Sequence, residues 1–410
     1  MQNHDFPSIF VRIFSSFVME AFYKTHEYLL THTDAPVRRN LMDEIDWDER
    51  LIGIKGTRGV GKTTFLIQYA QEYHRDDKSC LYINMNNFYF QGRSLTDFAE
   101  EFVRRGGKTL LVDQVFKIPD WSHQLRECHE RFPKLKIVFT GSSVMRLKEQ
   151  NPILNGIVKP YNLRGFSFRE FLNLQTGSNF PCYTLSDILN NHEAITRRIL
   201  PAVNPLEYFQ DYLHHGFYPF FLEKRNFAEN LLKTMNMMME VDILLIQQIE
   251  LKYLSKIKKL LYLLVVDGPS APNVSALAYE IGISRATVMN YIKYLADARL
   301  INLVYRNGDE FPKKPAKVLL HNPNLAYSIY PVKADEEDVL EMFIVNSLWK
   351  DHIVNKGESV HSFLVDNTLR FRVCADGLPI KNDKSTIYCV HHKEKGRDNQ
   401  IPLWLLGFLY

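Results

Sequence analysis

Gly56-Thr57-Arg58-Gly59-Val60-Gly61-Lys62-Thr63 restricts the fold of this chain more than any other stretch. It has the spacing GxxxxGK[ST], it follows the apolar run Leu51 to Ile54, and it opens a helical pattern that continues to Tyr73. Glycines at 56, 59 and 61 allow a turn tight enough for consecutive backbone N–H groups to converge on phosphate oxygens. The helix N-terminus adds partial positive charge at the same place. Gly56, Thr57, Arg58, Gly59, Val60, Gly61, Lys62, Thr63 and Thr64 are therefore the expected phosphate cradle. Within it Lys62 reaches the β and γ phosphates of a nucleoside triphosphate, and the Thr63 hydroxyl takes one Mg²⁺ position.

The residues around this loop predict the sheet that carries it. Short apolar runs at Leu51–Ile54, Leu81–Ile83, Leu110–Val112 and Ile137–Phe139 alternate with helical patterns at Thr63–Tyr73 and Leu95–Arg105. That alternation predicts an α/β domain of the P-loop NTPase kind, a three-layer structure around a parallel sheet. The run Leu110-Leu111-Val112 ends in Asp113, where such a sheet places the acid that holds Mg²⁺. Gln114 follows, at the position of a water-activating glutamate in many P-loop ATPases. A glutamine orients water but is a very poor base, so slow hydrolysis is expected. Strand Lys136–Thr140 runs into Gly141-Ser142-Ser143. Ser142 is a candidate γ-phosphate sensor, and equally a turn or N-cap serine.

The rest of the 410 residues reads as further domains. The expected organisation is a helical N-terminal segment over 1–45, the P-loop domain over 46–180, a helical domain over 181–266, a winged helix-turn-helix over 267–310 and a small α/β domain over 316–410. Leu231, Leu232, Met235, Met238 and Met239 recur at helical spacing, and the methionines read as core filler. Ser275–Ile283 and Ser284–Tyr291 form helix, glycine turn and capped helix, followed by a strand at Leu300–Tyr305 and a turn at Asn307-Gly308. The second of these helices offers Arg285, Thr287, Asn290 and Lys293 to DNA, although winged helices also serve only in packing.

Hydrophobic residues at 46%, charged residues at 24% and a net charge of +3 fit a globular chain and neither demand nor exclude nucleic acid. The five cysteines have no CxxC spacing, so neither a disulfide framework nor a zinc site is read from them. Arg12 interrupts the apolar N-terminal stretch, and no run reaches the roughly 20 residues of a membrane span, so a cytoplasmic location without membrane association is expected.

Together these motifs resemble AAA-type P-loop ATPases of bacteria and archaea that carry an N-terminal AAA domain (AAA_14-like) and a C-terminal DUF4143-like domain. The resemblance rests on Gly56–Thr64, Leu110–Asp113, Pro119-Asp120-Trp121, Thr140–Ser143, Leu163–Leu172, Tyr212–Pro219 and the unit around Ser284–Leu300. It implies ATP as nucleotide and leaves the protein partner unnamed; it raises the expectation of an oligomer, which the missing arginines at Gly156-Ile157 lower again, so the oligomeric state stays open. Three departures follow. Gln114 replaces the family's usual acid. Gly156-Ile157 stand where paired arginines are frequent, leaving Arg146, Arg164 or Arg169 as any finger. Around Ser362–Val365 and Phe371–Val373 the acids of the nuclease-like relatives are missing, so no nuclease is expected. The readings in competition are a slow ATPase acting as a nucleotide switch, a DNA-binding regulator, and an interaction protein with a relic P-loop.

Overall fold

The apolar runs form strands because each is buried on both faces, as crossover helices require of a parallel sheet. β1 (Leu51–Gly56), β2 (Cys80–Asn84), β3 (Thr109–Asp113), β4 (Lys136–Ser142) and β5 (Lys159–Asn162) make one sheet in the order β2-β3-β4-β1-β5, all parallel. Every residue of β3 is buried. The computed structural model describes residues 6–75, 77–145, 151–223, 226–244, 248–329, 335–375 and 383–410, with side chains of the first helix from Val18 onward. The described chain forms two compact units, one of Met1–Gly56 with Gly61–Arg164 and one of Thr57–Val60 with Gly165–Tyr410.

In the first unit helix Lys62–Tyr73 buries Phe65, Leu66, Ile67, Tyr69 and Ala70 and packs on β1 through β4. Helix Leu95–Arg104 starts at Ser94, whose hydroxyl accepts the Asp97 N–H, and packs on helix Trp121–Arg131. This is the three-layer α/β fold of a P-loop NTPase. β2 lies at a sheet edge, and an edge exposes unpaired backbone groups. The N-terminal helix Phe6–His32 covers it. Phe22 inserts among Phe98, Tyr89 and Phe90 with ring centroids 5.1, 5.4 and 5.8 Å away. One turn further, His26 Nδ1 accepts the Tyr82 N–H at 3.2 Å.

The second unit begins with a capping box. The Ser167 hydroxyl accepts the Glu170 N–H, and the Glu170 carboxylate accepts the Ser167 N–H, both at 3.1 Å. The segment Ser167–Leu172 thus starts helix Phe168–Thr176 by satisfying two orphan donors reciprocally. Helices Leu185–Ile199, Pro205–Asp211, Phe227–Met237 and Leu254–Val266 follow. Met235, Met238 and Met239 are buried as filler, whereas Leu232 is exposed. Helices Val274–Ile281 and Arg285–Asp297 are joined through Gly282 at φ 68, and Ser284 caps the second. The strands β6 (Ile301–Val304) and β7 (Lys317–Leu320) pair antiparallel behind them, with Asn307-Gly308 and Glu310–Pro315 in their connection.

The small C-terminal sheet has the order β12-β11-β10-β9-β8. Its strands are β8 (Val354–Lys356), β9 (Ser362–Val365), β10 (Leu369–Cys374), β11 (Thr386–Val390) and β12 (Gln400–Pro402). β8 to β10 are antiparallel neighbours, and β10 to β12 are parallel. The buried turn Leu403–Phe408 closes the chain. Among the described residues no helix is long and apolar enough to cross a membrane.

Candidate functional site

β1 delivers the chain to Gly56, and the following loop turns through Gly59 at φ 84 and Gly61 at φ 90. Both angles are left-handed, which an L side chain resists, so the loop requires glycine there. Gly61 then starts helix Lys62–Tyr73, its carbonyl accepting the Phe65 N–H at 2.9 Å. Lys62 Nζ donates to the Gly56 carbonyl at 2.8 Å, which holds the ammonium at the mouth of the loop.

The Thr63 hydroxyl donates to Asp113 Oδ2 at 2.7 Å. Asp113 ends β3 and is 1% exposed. A carboxylate so buried is tolerable only with several donors. It accepts from Tyr82 Oη at 2.9 Å, from Asn84 Nδ2 at 3.4 Å and, through its other oxygen, from the Thr140 hydroxyl. Register explains this convergence. Asn84 stands opposite Asp113, and Val112 opposite Phe139, so the ends of three parallel strands meet where an α/β sheet binds its ligands. Tyr82, Asn84 and Thr140 were not among the residues expected from sequence. Asn84 and Thr140, the polar residues that directly follow the apolar runs Leu81–Ile83 and Ile137–Phe139, were the available signal.

Gln114 adopts φ 57 and ψ 48, and its N–H donates to Thr140 Oγ1 at 2.9 Å. A glutamine in the left-handed region is strained, and such strain concentrates at functional sites. Ser142 is paired in register with Gly56 and is buried. Its hydroxyl also accepts the Val144 N–H at 3.4 Å, a turn bond.

The crown of the loop, Thr57–Val60, belongs to the second unit. There the Arg58 guanidinium donates to both oxygens of Asp242, at 2.9 and 3.4 Å, and Asp242 is 3% exposed. Sequence gave no signal for Asp242, which lies in a π-helical turn, Met238–Ile243.

Of the arginines considered for a finger, Arg169 is buried and donates to the carbonyls of Tyr410 and Phe180 at 3.0 and 3.2 Å, a packing role. Arg146 lies outside the described residues. On helix Arg285–Asp297, Arg285 and Asn290 are exposed. Lys293 is engaged with Asp297 at 2.7 Å, and the Thr287 hydroxyl with Ser284 at 2.8 Å in the cap.

Comparison with known proteins adds a direct match. The family model AAA_14, described as AAA domain, covers residues 48–172. Residues 48–172 form an AAA-type P-loop domain. A second model, a domain of unknown function (DUF8612), covers 206–335, so the match in this part of the chain is not to DUF4143. Two uncharacterized proteins of Methanocaldococcus jannaschii, MJ1637 and MJ1544, are each 25% identical, over 66% and 61% of this chain. The chain spans 60% and 55% of their lengths. Among solved structures, the ORC1 protein of Aeropyrum pernix in complex with DNA is similar over 69% of this chain and 87% of its own, with 13% identity and a TM-score of 0.30. AMPPCP-bound DnaA from Aquifex aeolicus is similar over 67% and 86%, with 13% identity and a TM-score of 0.26.

Proposed function

We propose that the AAA-type domain binds ATP with Mg²⁺ and works as a slow ATPase or nucleotide-dependent switch. The observation that carries this reading is the Thr63–Asp113 hydrogen bond of 2.7 Å, in a chain whose preceding loop has Gly59 and Gly61 left-handed. A hydroxyl and a buried carboxylate are hard oxygen ligands of the type Mg²⁺ takes, so the residues present fit the ion. Bound there, Mg²⁺ would neutralise phosphate charge. The backbone N–H groups from Gly59 to Thr64 orient the phosphates, and Lys62 leaves the Gly56 carbonyl to neutralise their tail. Thr140 and Tyr82 hold the Asp113 carboxylate in place. Gln114 can position a water molecule but cannot take its proton.

Steady-state ATP turnover tests this. Wild-type turnover is expected below about one per second, and Gln114→Glu should raise it at least tenfold, since general-base catalysis contributes about 10²–10⁴-fold. Fast wild-type turnover, or a Gln114→Glu variant no faster than wild type, contradicts the slow-switch reading.

A second reading concerns DNA. Asn273, Ser275, Arg285, Met289 and Lys314 line an open cavity of about 600 Å³ between the helix pair and the wing connection. Two cations with amide and hydroxyl groups suit a phosphate backbone. Duplex retardation at low ionic strength, weakened in Arg285→Ala with Lys314→Ala, supports it; absence of any retardation removes it.

A further inference from the structure

Beyond the end of β11, His391 and His392 follow one another and face Glu336, the first residue of helix Glu336–Leu348. His391 Nε2 lies 3.1 Å from Glu336 Oε1, and His392 Nε2 lies 3.5 Å from the same oxygen. The three ligand atoms all fall within 4.8 Å of one another. Two ligands of a tetrahedral zinc, each bound at about 2.0–2.1 Å, stand about 3.3–3.4 Å apart. The two histidine–carboxylate spacings, 3.1 and 3.5 Å, bracket that value.

We propose that Glu336, His391 and His392 form a binding site for a divalent transition metal, zinc foremost, in the second unit and independent of the nucleotide site.

Two imidazoles and one carboxylate suit zinc and its neighbours, whereas Mg²⁺ and Ca²⁺ prefer oxygen alone. The ligands differ usefully in mobility. His391 is 5% exposed, its N–H donates to the Cys374 carbonyl at 3.0 Å, and its ring lies 5.7 Å from that of Phe209. It is a fixed ligand. His392 and Glu336 have side chains 65% and 47% exposed, so they can adjust to an ion and leave it a path from solvent. Three protein ligands leave a fourth tetrahedral position for water or a small anion. His391 Nδ1 is buried without a hydrogen-bond partner. Outer partners of a ligating histidine are worth about 10–100-fold in affinity, so binding is expected in the micromolar range rather than at the strength of a structural zinc.

The test is calorimetric titration of zinc chloride into the full chain, stripped of metal and free of affinity tag, with Co²⁺ absorption as a second readout. His392→Ala and Glu336→Gln leave the buried His391 in place, and unchanged thermal unfolding in chelator verifies that each variant is folded. The wild type should bind one equivalent and develop the intense visible bands of tetrahedral Co²⁺. Each variant should bind at least tenfold more weakly and lose those bands. Lack of saturable binding by the wild type, or equal affinity in the double variant, overturns the proposal. Zinc retained equally by the double variant would belong to other groups, the Thr63–Asp113 pair included.

Discussion

Lys317 and Glu341 carry opposite charges into the C-terminal part of the second unit, their side chains 7% and 0% exposed. Lys317 Nζ donates to both Glu341 oxygens, at 2.8 and 2.5 Å, and His361 Nδ1 lies 3.0 Å from the same carboxylate. Neither charge is tolerable alone at such burial. Glu341→Gln should cost about 3–5 kcal/mol, measured by urea unfolding, because it strands the lysine. Lys317→Met with Glu341→Leu should recover most of that loss, since it removes both charges. Asp113 presents the same problem in the first unit and solves it with hydroxyl and amide donors instead of a cation. That solution leaves its charge available to an ion. The cradle residues were legible in sequence because GxxxxGK[ST] encodes a backbone shape. Lys317 and Glu341 were not, because nothing local announces a pair 24 residues apart. The same holds for Asp242, 184 residues from Arg58.

At the scale of elements, the N-terminal helix does more than add bulk. His26 supplies the acceptor that the edge of β2 lacks. Burial, reinforced by His74, pushes its pKa down to about 4, so Nδ1 is free to accept at neutral pH. An unfolded chain takes up this proton near pH 6.5, whereas the folded one resists it until about 4. The stability held by His26 is therefore complete above about pH 6.5 and declines as pH falls toward 4, by on the order of 3 kcal/mol. Denaturation of wild type and His26→Gln between pH 7 and 4 should show a steeper loss in wild type; parallel slopes would contradict this account. The helix-turn-helix makes a separate prediction. The Ser284 hydroxyl accepts the Thr287 N–H at 3.0 Å, so Ser284→Ala should lower stability by about 1 kcal/mol in urea unfolding. Elements of this kind were readable: Ser284 and Gly282 mark the turn through capping and φ > 0. The His26 bond was not, since a histidine on an amphipathic helix gives no hint of which strand it will meet.

For the whole molecule, strand periodicity placed the runs at Leu51, Leu81, Leu110 and Ile137, and all four became neighbours in one parallel sheet. The edge strand Lys159–Asn162 was missed as a strand, because its half-exposed, proline-containing sequence lacks the apolar signature. The C-terminal sheet was legible only as a small α/β domain, since short strands of mixed direction share no single period. The family matches cover 48–172 as an AAA domain and 206–335 as a domain of unknown function, a span that crosses the boundaries expected at 266 and 310. A nucleotide-dependent switch requires a nucleotide seated in the AAA domain. Its most direct test is titration of the purified chain with a non-hydrolysable ATP analogue, with and without Mg²⁺, against Lys62→Ala. Charge-assisted hydrogen bonds of about 1.5–3 kcal/mol predict saturable, Mg²⁺-dependent binding that weakens tenfold or more in the variant. Equal affinity in the two proteins, or no binding by either, would contradict it.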